Sequence, residues 1–496
     1  MSYGGQYNPT NPPQRNGVFI NTQTFESPQV RTGANGIVGL VGQADWGPDN
    51  TIVDITSAPQ ALEVFGNGPL YFAIEQALLG SGSEARAGAA IVRAYRIVGS
   101  AGDYATVTLK NTDTPSVDAL TLTAKYKGTR GNDLKVTTQT DIVDNTKRNI
   151  IIYEGDIVRE VYTYPASGAT IMTDLAVEIN SRSAFVTASV DADGEPLTAV
   201  TGTAFTGGDS GASISSGDHL AARTAFEDTA NFGAFAVEDW NALGSPEQTA
   251  YKAWAVRLVD EGKTFTFVVG GDLGESAVTA LNRSVFLDTP DLSHTAGMGD
   301  VFVNITRDLR INGTVYSSSK MAPRVAGIIA AADFTRSISG TPLIGAELAN
   351  APSSAQVEAL VRGGVVPFKN DGTTVRLDRG QTCYARSVPP TDDKAEIFRE
   401  LLFTRKLWHA YERMDQLVSD EIIGQPMFNT PEMVEAIVNR FRVLLKTLED
   451  ENLIVEGSEV NLDPSKDNSG STLHLLIRLA PARGIEQILI KVTIPV

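Results

Sequence analysis

The chain of 496 residues is 42% hydrophobic and 20% charged, a balance that supports large buried cores and excludes both a single small domain and global disorder. With 41 Lys and Arg against 59 Asp and Glu, the formal charge of −18 repels phosphate backbones and disfavours bulk nucleic-acid binding. The single cysteine, Cys383, excludes an intrachain disulfide framework and any cysteine-cluster metal site. No apolar run approaches the roughly 18 residues of a membrane-spanning helix, so no membrane insertion is expected. Residues 1–16 hold Pro9, Pro12, Pro13 and five Asn or Gln, a composition that favours an extended arm. They carry no basic segment leading into an apolar one, so folding in a cytoplasm is expected. A strand-like piece, 18–24, follows. Residues 36–41 read as a buried strand, stopped by the turn Asp45-Trp46-Gly47-Pro48-Asp49. Ser57-Ala58-Pro59 opens a helix that Gly66 to Gly68 end, 70–79 forms a second, and 89–97 returns as a strand.

Near residue 100 the texture changes. Thr, Val, Asp and Gly dominate, and alternation of period two appears at 105–109 and again over 148–164. This β-rich insertion ends at the Gly/Ser run 207–217. Strands at 233–237, 263–269 and 300–305 then alternate with helices at 245–260, 276–285 and 318–332, which argues for an α/β layer with a largely parallel sheet. Val365 to Leu377 carries a hairpin signal centred on Asn370-Asp371-Gly372. Helices over 393–417 and 430–449 follow, the second with Thr430 as N-cap and Pro431 at its first position. Residues 456–472 read as flexible, and strands at 473–479 and 485–496 close the chain. The expected fold is therefore α/β and multidomain, its core built from N- and C-terminal parts around the insertion. The divisions are 1–24 (arm and strand), 25–99, 100–215 (insertion), 216–360, 361–484 and 485–496 (strand arm).

Little of this points to catalysis. Gly208-Asp209-Ser210-Gly211 looks like a serine-protease nucleophile segment, but the first histidine, His219, comes after Ser210, the wrong order for that chemistry. Gly36-x-x-Gly39-x-x-Gly42 is not a dinucleotide fingerprint, and no phosphate-binding loop motif occurs. Val269-Gly270-Gly271-Asp272 ends a strand where open α/β sheets hold ligands, and is read here as a tight turn. His219, His294, His409 and His474 show no metal-ligand spacing. No catalytic, cofactor or metal residue is assigned.

The helix over 393–417 is more informative. At 100° per residue, Ile397, Leu401, Phe403, Leu407, Trp408, Tyr411 and Met414 fall within about 160°, while Arg399, Arg405, Lys406, His409 and Arg413 gather within about 120° opposite. A basic stripe in an acidic chain is a candidate contact for an acidic partner, against a solvated face balanced by nearby acids. In the last strand Ile488, Ile490, Val492, Ile494 and Val496 share one face. Such a strand either completes its own sheet or is donated to another subunit.

Taken together, Gly17-Val18-Phe19-Ile20, the run Gly36 to Pro48, the run Ala322 to Phe334, the run Gly363 to Gly380 and the closing strand resemble the contractile tail sheath family of phages and related injection machines. The resemblance covers 17–97 and about 217–496. It implies a structural subunit without enzymatic activity that polymerises as stacked hexameric rings around an inner tail tube and contracts to drive that tube through the target envelope. It further implies that 100–215 is an outer domain and that the helix carrying Arg399, Arg405, Lys406, His409 and Arg413 faces the tube. Val18, Ile20, Ile488, Ile490, Val492 and Ile494 would take part in strand exchange. Baseplate and tail terminator proteins would be further partners, with no direct nucleic acid and no cofactor, in a virion assembled in the host cytoplasm. The alternative is a hydrolase-like α/β enzyme with a small-molecule site, which predicts a pocket with a perturbed acid or base.

Overall fold

The computed structural model describes residues 36–83, 88–228, 232–288, 299–350, 352–384, 398–422, 429–465, 468, 473–480 and 482. The expected arm and strand within 1–24, with Val18 and Ile20, lie outside them, as does the expected closing strand with Ile488, Ile490, Val492 and Ile494.

Strand β1 (Ile37–Gln43) is buried along most of its length and lies inside an eight-stranded sheet. Its glycines allow close approach: a Cβ on Gly39 would stand 2.6 Å from the Phe235 ring, and one on Gly42 2.7 Å from Cβ of Glu238. The repeated glycine spacing thus serves strand packing. β2 (Ile52–Ile55), α1 (Ala58–Phe65), α2 (Pro69–Leu79) and β3 (Ile91–Ile97) complete the N-terminal part. Ser57 caps α1, its hydroxyl accepting the Gln60 N–H at 3.4 Å, and Gly66 follows its end at φ 72°.

The chain then leaves the core for β4 (Thr106–Lys110), β5 (Asp118–Ala124), β6 (Leu134–Thr140), β7 (Lys147–Glu154), β8 (Ile157–Pro165), α3 (Ile171–Arg182), β9 (Val186–Val190) and β10 (Val200–Ala204). Sheets of order β4-β5-β9 and β10-β6-β7-β8 close with α3 over a core that includes Leu120, Val136, Ile152, Tyr162 and Ile179. Helix α3 has no counterpart in the sequence expectation, for a physical reason. Its N-terminal N–H groups at Met172 and Thr173 are met not by a local cap but by the Asp193 carboxylate, at 2.9 and 3.1 Å.

Back in the core come α4 (Ser216–Asp228), β11 (Ala234–Val237), α5 (Ser245–Asp260), β12 (Thr266–Val269), α6 (Ala277–Asp288), β13 (Phe302–Thr306), β14 (Leu309–Ile311) and β15 (Thr314–Tyr316). They are followed by α7 (Ser318–Ala331), β16 (Glu347–Leu348), α8 (Ser354–Arg362), β17 (Val365–Asp371) and β18 (Thr374–Leu377). The sheet order is β18-β17-β13-β12-β11-β1-β3-β2, with the six strands from β17 to β3 parallel and an antiparallel strand at each edge. This is the α/β architecture read from the sequence. The hairpin turns one residue later than expected: Asp371 still pairs with Thr374, and Gly372 supplies the positive φ of 72°.

Helices α9 (Leu401–Glu421) and α10 (Pro431–Asp450) follow, the second capped by Thr430, whose hydroxyl accepts the Met433 N–H at 3.4 Å. β19 (Glu459–Leu462) and β20 (Leu475–Arg478) form an antiparallel pair. Residues 459–462 fall in the stretch read as flexible. Burial of Val460 against Phe441, Leu444 and Leu448 draws them into a strand instead.

Helix α7 is the hub of one face of the sheet, buried at Ser318 and Ser319 and from Met321 through Ala330. It crosses α2 so closely that a Cβ on Gly327 would lie 2.0 Å from the Ala77 carbonyl oxygen. Beside the crossing, the fully buried Arg324 donates from Nε to the Gly80 carbonyl at 2.6 Å and from Nη2 to the Ile344 carbonyl at 2.7 Å. Gly327→Ala should therefore force the helices apart and lower stability by roughly 1–3 kcal/mol, read as a fall in the urea midpoint at unchanged slope.

Candidate assembly interface

The basic stripe is not a solvent face. In α9, Leu401, Phe403 and Trp408 are buried as expected and Leu407 and Met414 are half-buried, but Tyr411 of the same face is 49% exposed and Ile397 lies outside the described residues. Arg405, Lys406 and His409 are buried too, each 5% exposed. Arg405 donates from Nη2 to the Ala332 carbonyl at 2.6 Å and its guanidinium lies 5.0 Å from the centre of the Phe334 ring. The His409 ring stacks on Phe334, with centroids 4.2 Å apart. Lys406 donates from Nζ to the carbonyls of Asn452 at 3.1 Å and Ala482 at 2.9 Å. Burial pushes the Arg405 guanidinium down to about 10, against the nearby Asp333 carboxylate, and lowers the Lys406 ammonium for the same reason. Arg413 is largely covered and approaches Glu451 at 3.7 Å, while Arg399 is half-buried on the segment before α9. The expectation of one exposed basic face is thus corrected. A helical wheel shows which residues share a side but not what packs on it, and here the chain after α7 and the segments at 452 and 482 do. The more open half of α9 carries Tyr411, Glu412, Asp415, Asp420 and Glu421.

The carboxyl ends of the parallel strands, where an open α/β sheet holds a ligand, are filled from within the chain. Beyond β1 and β3 lies the neck of the insertion: Gln43 donates from Nε2 to the Gly211 carbonyl at 2.7 Å, and Asp103 and Asp209 exchange main-chain hydrogen bonds at 3.0 and 3.1 Å. The protease-like segment 208–211 is part of that neck. Ser210 Oγ accepts the Thr129 N–H at 3.2 Å, while His219 Nδ1 pairs with the Tyr251 hydroxyl at 3.2 Å, so the two are committed to different partners. Beyond β12, the Gly270-Gly271 turn is held by Ser318, whose hydroxyl accepts the Gly271 N–H at 2.8 Å. There Arg283 grips Glu275 through two contacts of 2.7 and 2.9 Å and donates to the Asn304 side chain at 2.7 Å. Among the described residues no three His, Cys, Asp or Glu side chains form a metal-binding group, and no helix is long and apolar enough to cross a membrane.

A perturbed acid does lie on that edge. Burial, reinforced by the Asp239 carboxylate and opposed by Lys320, pushes Glu238 at the end of β11 up to about 7 from its ordinary 4.5. The sequence holds no signal for this, because the shift comes from how deeply the end of β11 is set among its neighbours.

Among the described residues, a surface that could receive another chain lies in the C-terminal part. β19 and β20 make a sheet of two strands, and a cleft of about 440 Å³ runs along β19, lined by Arg442, Lys446, Val455, Glu459, Val460 and Asn461. Extended backbone beside an open cleft is what strand addition requires.

Two family models match in succession. Residues 35–97 match the N-terminal region of domain III of the tail sheath protein Gp18, and residues 100–210 match the phage tail sheath protein beta-sandwich domain. Both matches are to tail sheath domains. The fold is shared over almost the whole length with the sheath tail protein of Desulfitobacterium hafniense, at TM-score 0.69 and 18% identity over 94% of this chain and 100% of that one. The sheath tail protein of Listeria innocua agrees at TM-score 0.63 and 16% identity, over 91% and 96%. Among curated proteins, the phage-like element PBSX protein XkdK of Bacillus subtilis (strain 168) is 24% identical over 344 residues, 68% of this chain and 65% of that relative.

Two outcomes follow from the site. Arg405→Glu should cost about 3–5 kcal/mol, because it places a carboxylate against the Ala332 carbonyl in a buried joint, and chemical denaturation would show it. For Glu238, a folded-state value raised from 4.5 to about 7 means the charged carboxylate penalises the fold above pH 7, and the penalty fades as pH falls towards 4.5. Glu238→Gln should therefore stabilise the protein at pH 8 by roughly 1–3 kcal/mol and leave it unchanged near pH 4.5, as followed by denaturant melts across pH.

Proposed function

We propose that the chain is the structural subunit of a contractile sheath, which polymerises as stacked hexameric rings around an inner tube and is linked to its neighbours by its terminal strands. The observation that carries this reading is the succession of two tail sheath domain matches over 35–97 and 100–210. The shared fold and the filled carboxyl edge of the sheet support it: the crevice that a hydrolase-like enzyme would use is taken by the insertion neck and by the Arg283–Glu275 pair. The phage-derived names of the matched families support a place in the tail of a virion or a related particle, with a tube, a baseplate and a terminator as partners.

In this reading the cleft along β19 receives a strand from another copy, and residues 485–496 are the donor. Main-chain pairing of this kind holds two bodies together while they turn against each other, provided the linking chain gives. Of the five cations proposed to face the tube, Arg405, Lys406 and His409 are buried inside the subunit, while Arg399 and Arg413, both half-buried and Arg413 beside Glu451, are the two that keep some exposure. Reversing both to Glu should weaken co-sedimentation with tube at low salt while leaving sheath polymers intact.

Deletion of 485–496 is the decisive experiment. The truncated chain should keep the far-ultraviolet spectrum and melting profile of the parent yet remain monomeric, where the parent gives tubes of uniform width by electron microscopy. Loss of the fold instead would place the last strand in the subunit's own core.

A further inference from the structure

The neck is only part of what joins the insertion to the core. The loop that leaves β1 carries Trp46, 4% exposed, whose indole is packed not in the α/β core but in the sandwich, against Ala105, Ala124 and Leu134. It meets Tyr126 edge-on at 5.3 Å and lies 5.8 Å from the Arg130 guanidinium. The main-chain N–H of Trp46 returns to the core, donating to the Phe65 carbonyl at the end of α1 at 3.1 Å. Beneath it, Arg96 of β3 is fully buried and spends its donors on both bodies. Nε and Nη2 reach the Ala44 carbonyl at 3.1 and 2.9 Å, Nη1 the Gly47 carbonyl at 2.6 Å, and Nη2 also the Lys127 carbonyl of the insertion at 2.8 Å. From the other side Arg130 of the insertion donates from Nη1 to the carbonyls of Leu62 and Glu63 at 3.2 and 2.8 Å, while its Nε engages Glu154. The approach is tight enough to need a glycine: a Cβ on Gly128, at φ +135°, would lie 1.9 Å from the Asp45 carbonyl oxygen.

We infer that the loop 44–49, through Trp46 and Arg96, welds the insertion to the central sheet, so that the two unfold and move as one body. The insertion is completed by a residue that precedes it by more than fifty positions, and the core loop is held in shape by a carbonyl of the insertion. Neither half of the joint is satisfied alone: without the core the sandwich has a hole where the indole sits, and without the insertion the Trp46 indole faces water and Arg96 loses the Lys127 carbonyl. A load applied to the insertion is thereby delivered to the ends of β1 and β3, not absorbed in a hinge.

The test uses the full chain. Calorimetry of the parent should show one transition, and hydrogen exchange followed by mass spectrometry under mildly destabilising conditions should open peptides of β6–β7 and of β12–β13 in the same event. Trp46→Ala, and separately Arg96→Met, should split that event, with the insertion melting at least about 10 °C below the core. Two resolved transitions in the parent, or core and insertion peptides that exchange independently there, overturn the weld whatever the variants do. A folded Trp46→Ala chain that still melts in a single step also overturns it.

Discussion

Three guanidinium groups buried against main-chain carbonyls hold this molecule in one piece. A charge taken out of water needs acceptors for its donors, so each such arginine ties together the segments that supply its oxygens, even though Nη1 of Arg324 has none among the described residues. Arg324 spans 244 positions of sequence to reach Gly80 and locks the crossing of α2 and α7. Arg96 closes the joint between sheet and insertion, and Arg405 anchors α9 to the chain leaving α7. Burial lowers all three, Arg96 and Arg324 to about 10 like Arg405, which still leaves each charged at neutral and acidic pH. The ties are therefore not switched by acidity.

Rigidity of this kind fits a subunit whose work is mechanical. Helix α9 runs as one rod from the core, where Leu401 and Trp408 are packed, into the C-terminal pair, where Ala410 belongs to the cluster of Phe441 and Leu448. With the insertion welded as inferred and α9 packed against α10, the proposed sheath subunit would pass force across its domain boundaries instead of bending at them.

Most of the fold was legible because it rests on local rules. Ser57 and Thr430 as caps, Gly66 as a stop and the apolar runs that became β1, β12 and β13 announce themselves in the sequence. The interface was less so. Arg405 and Lys406 sit on a helix exactly as surface cations do, and only the distant carbonyls at 332, 452 and 482 make them interior. Helix α3 was missed because Asp193, not a neighbour, caps it, and Val460 became part of a strand through contacts with α10. Trp46 read as a turn residue, since nothing in 45–49 indicates a sandwich folded from residues beyond 100. Most of these escaped because they depend on a partner far along the chain, whereas α8, also absent from the expectation, carries a local capping box of Ser353 and Gln356.

The strand order has a consequence for how the protein is made. β1 emerges first among the described strands of the large sheet, β2 and β3 fill one side of it, and β11, β12, β13, β17 and β18 then take places outward on the other side in the order in which they are translated. No strand on that side has to be inserted between two already paired. The sheet can therefore lengthen at a single open edge as the ribosome moves, each new strand covering the one before, with the insertion finished before β11 arrives. The last addition, β18, runs antiparallel, and its outer edge is met at once by chain already made: Leu343 donates its N–H to the Val375 carbonyl at 2.8 Å and the Thr341 carbonyl accepts the Leu377 N–H at 3.0 Å, so the widening sheet is stopped there by main chain instead of by a bare strand.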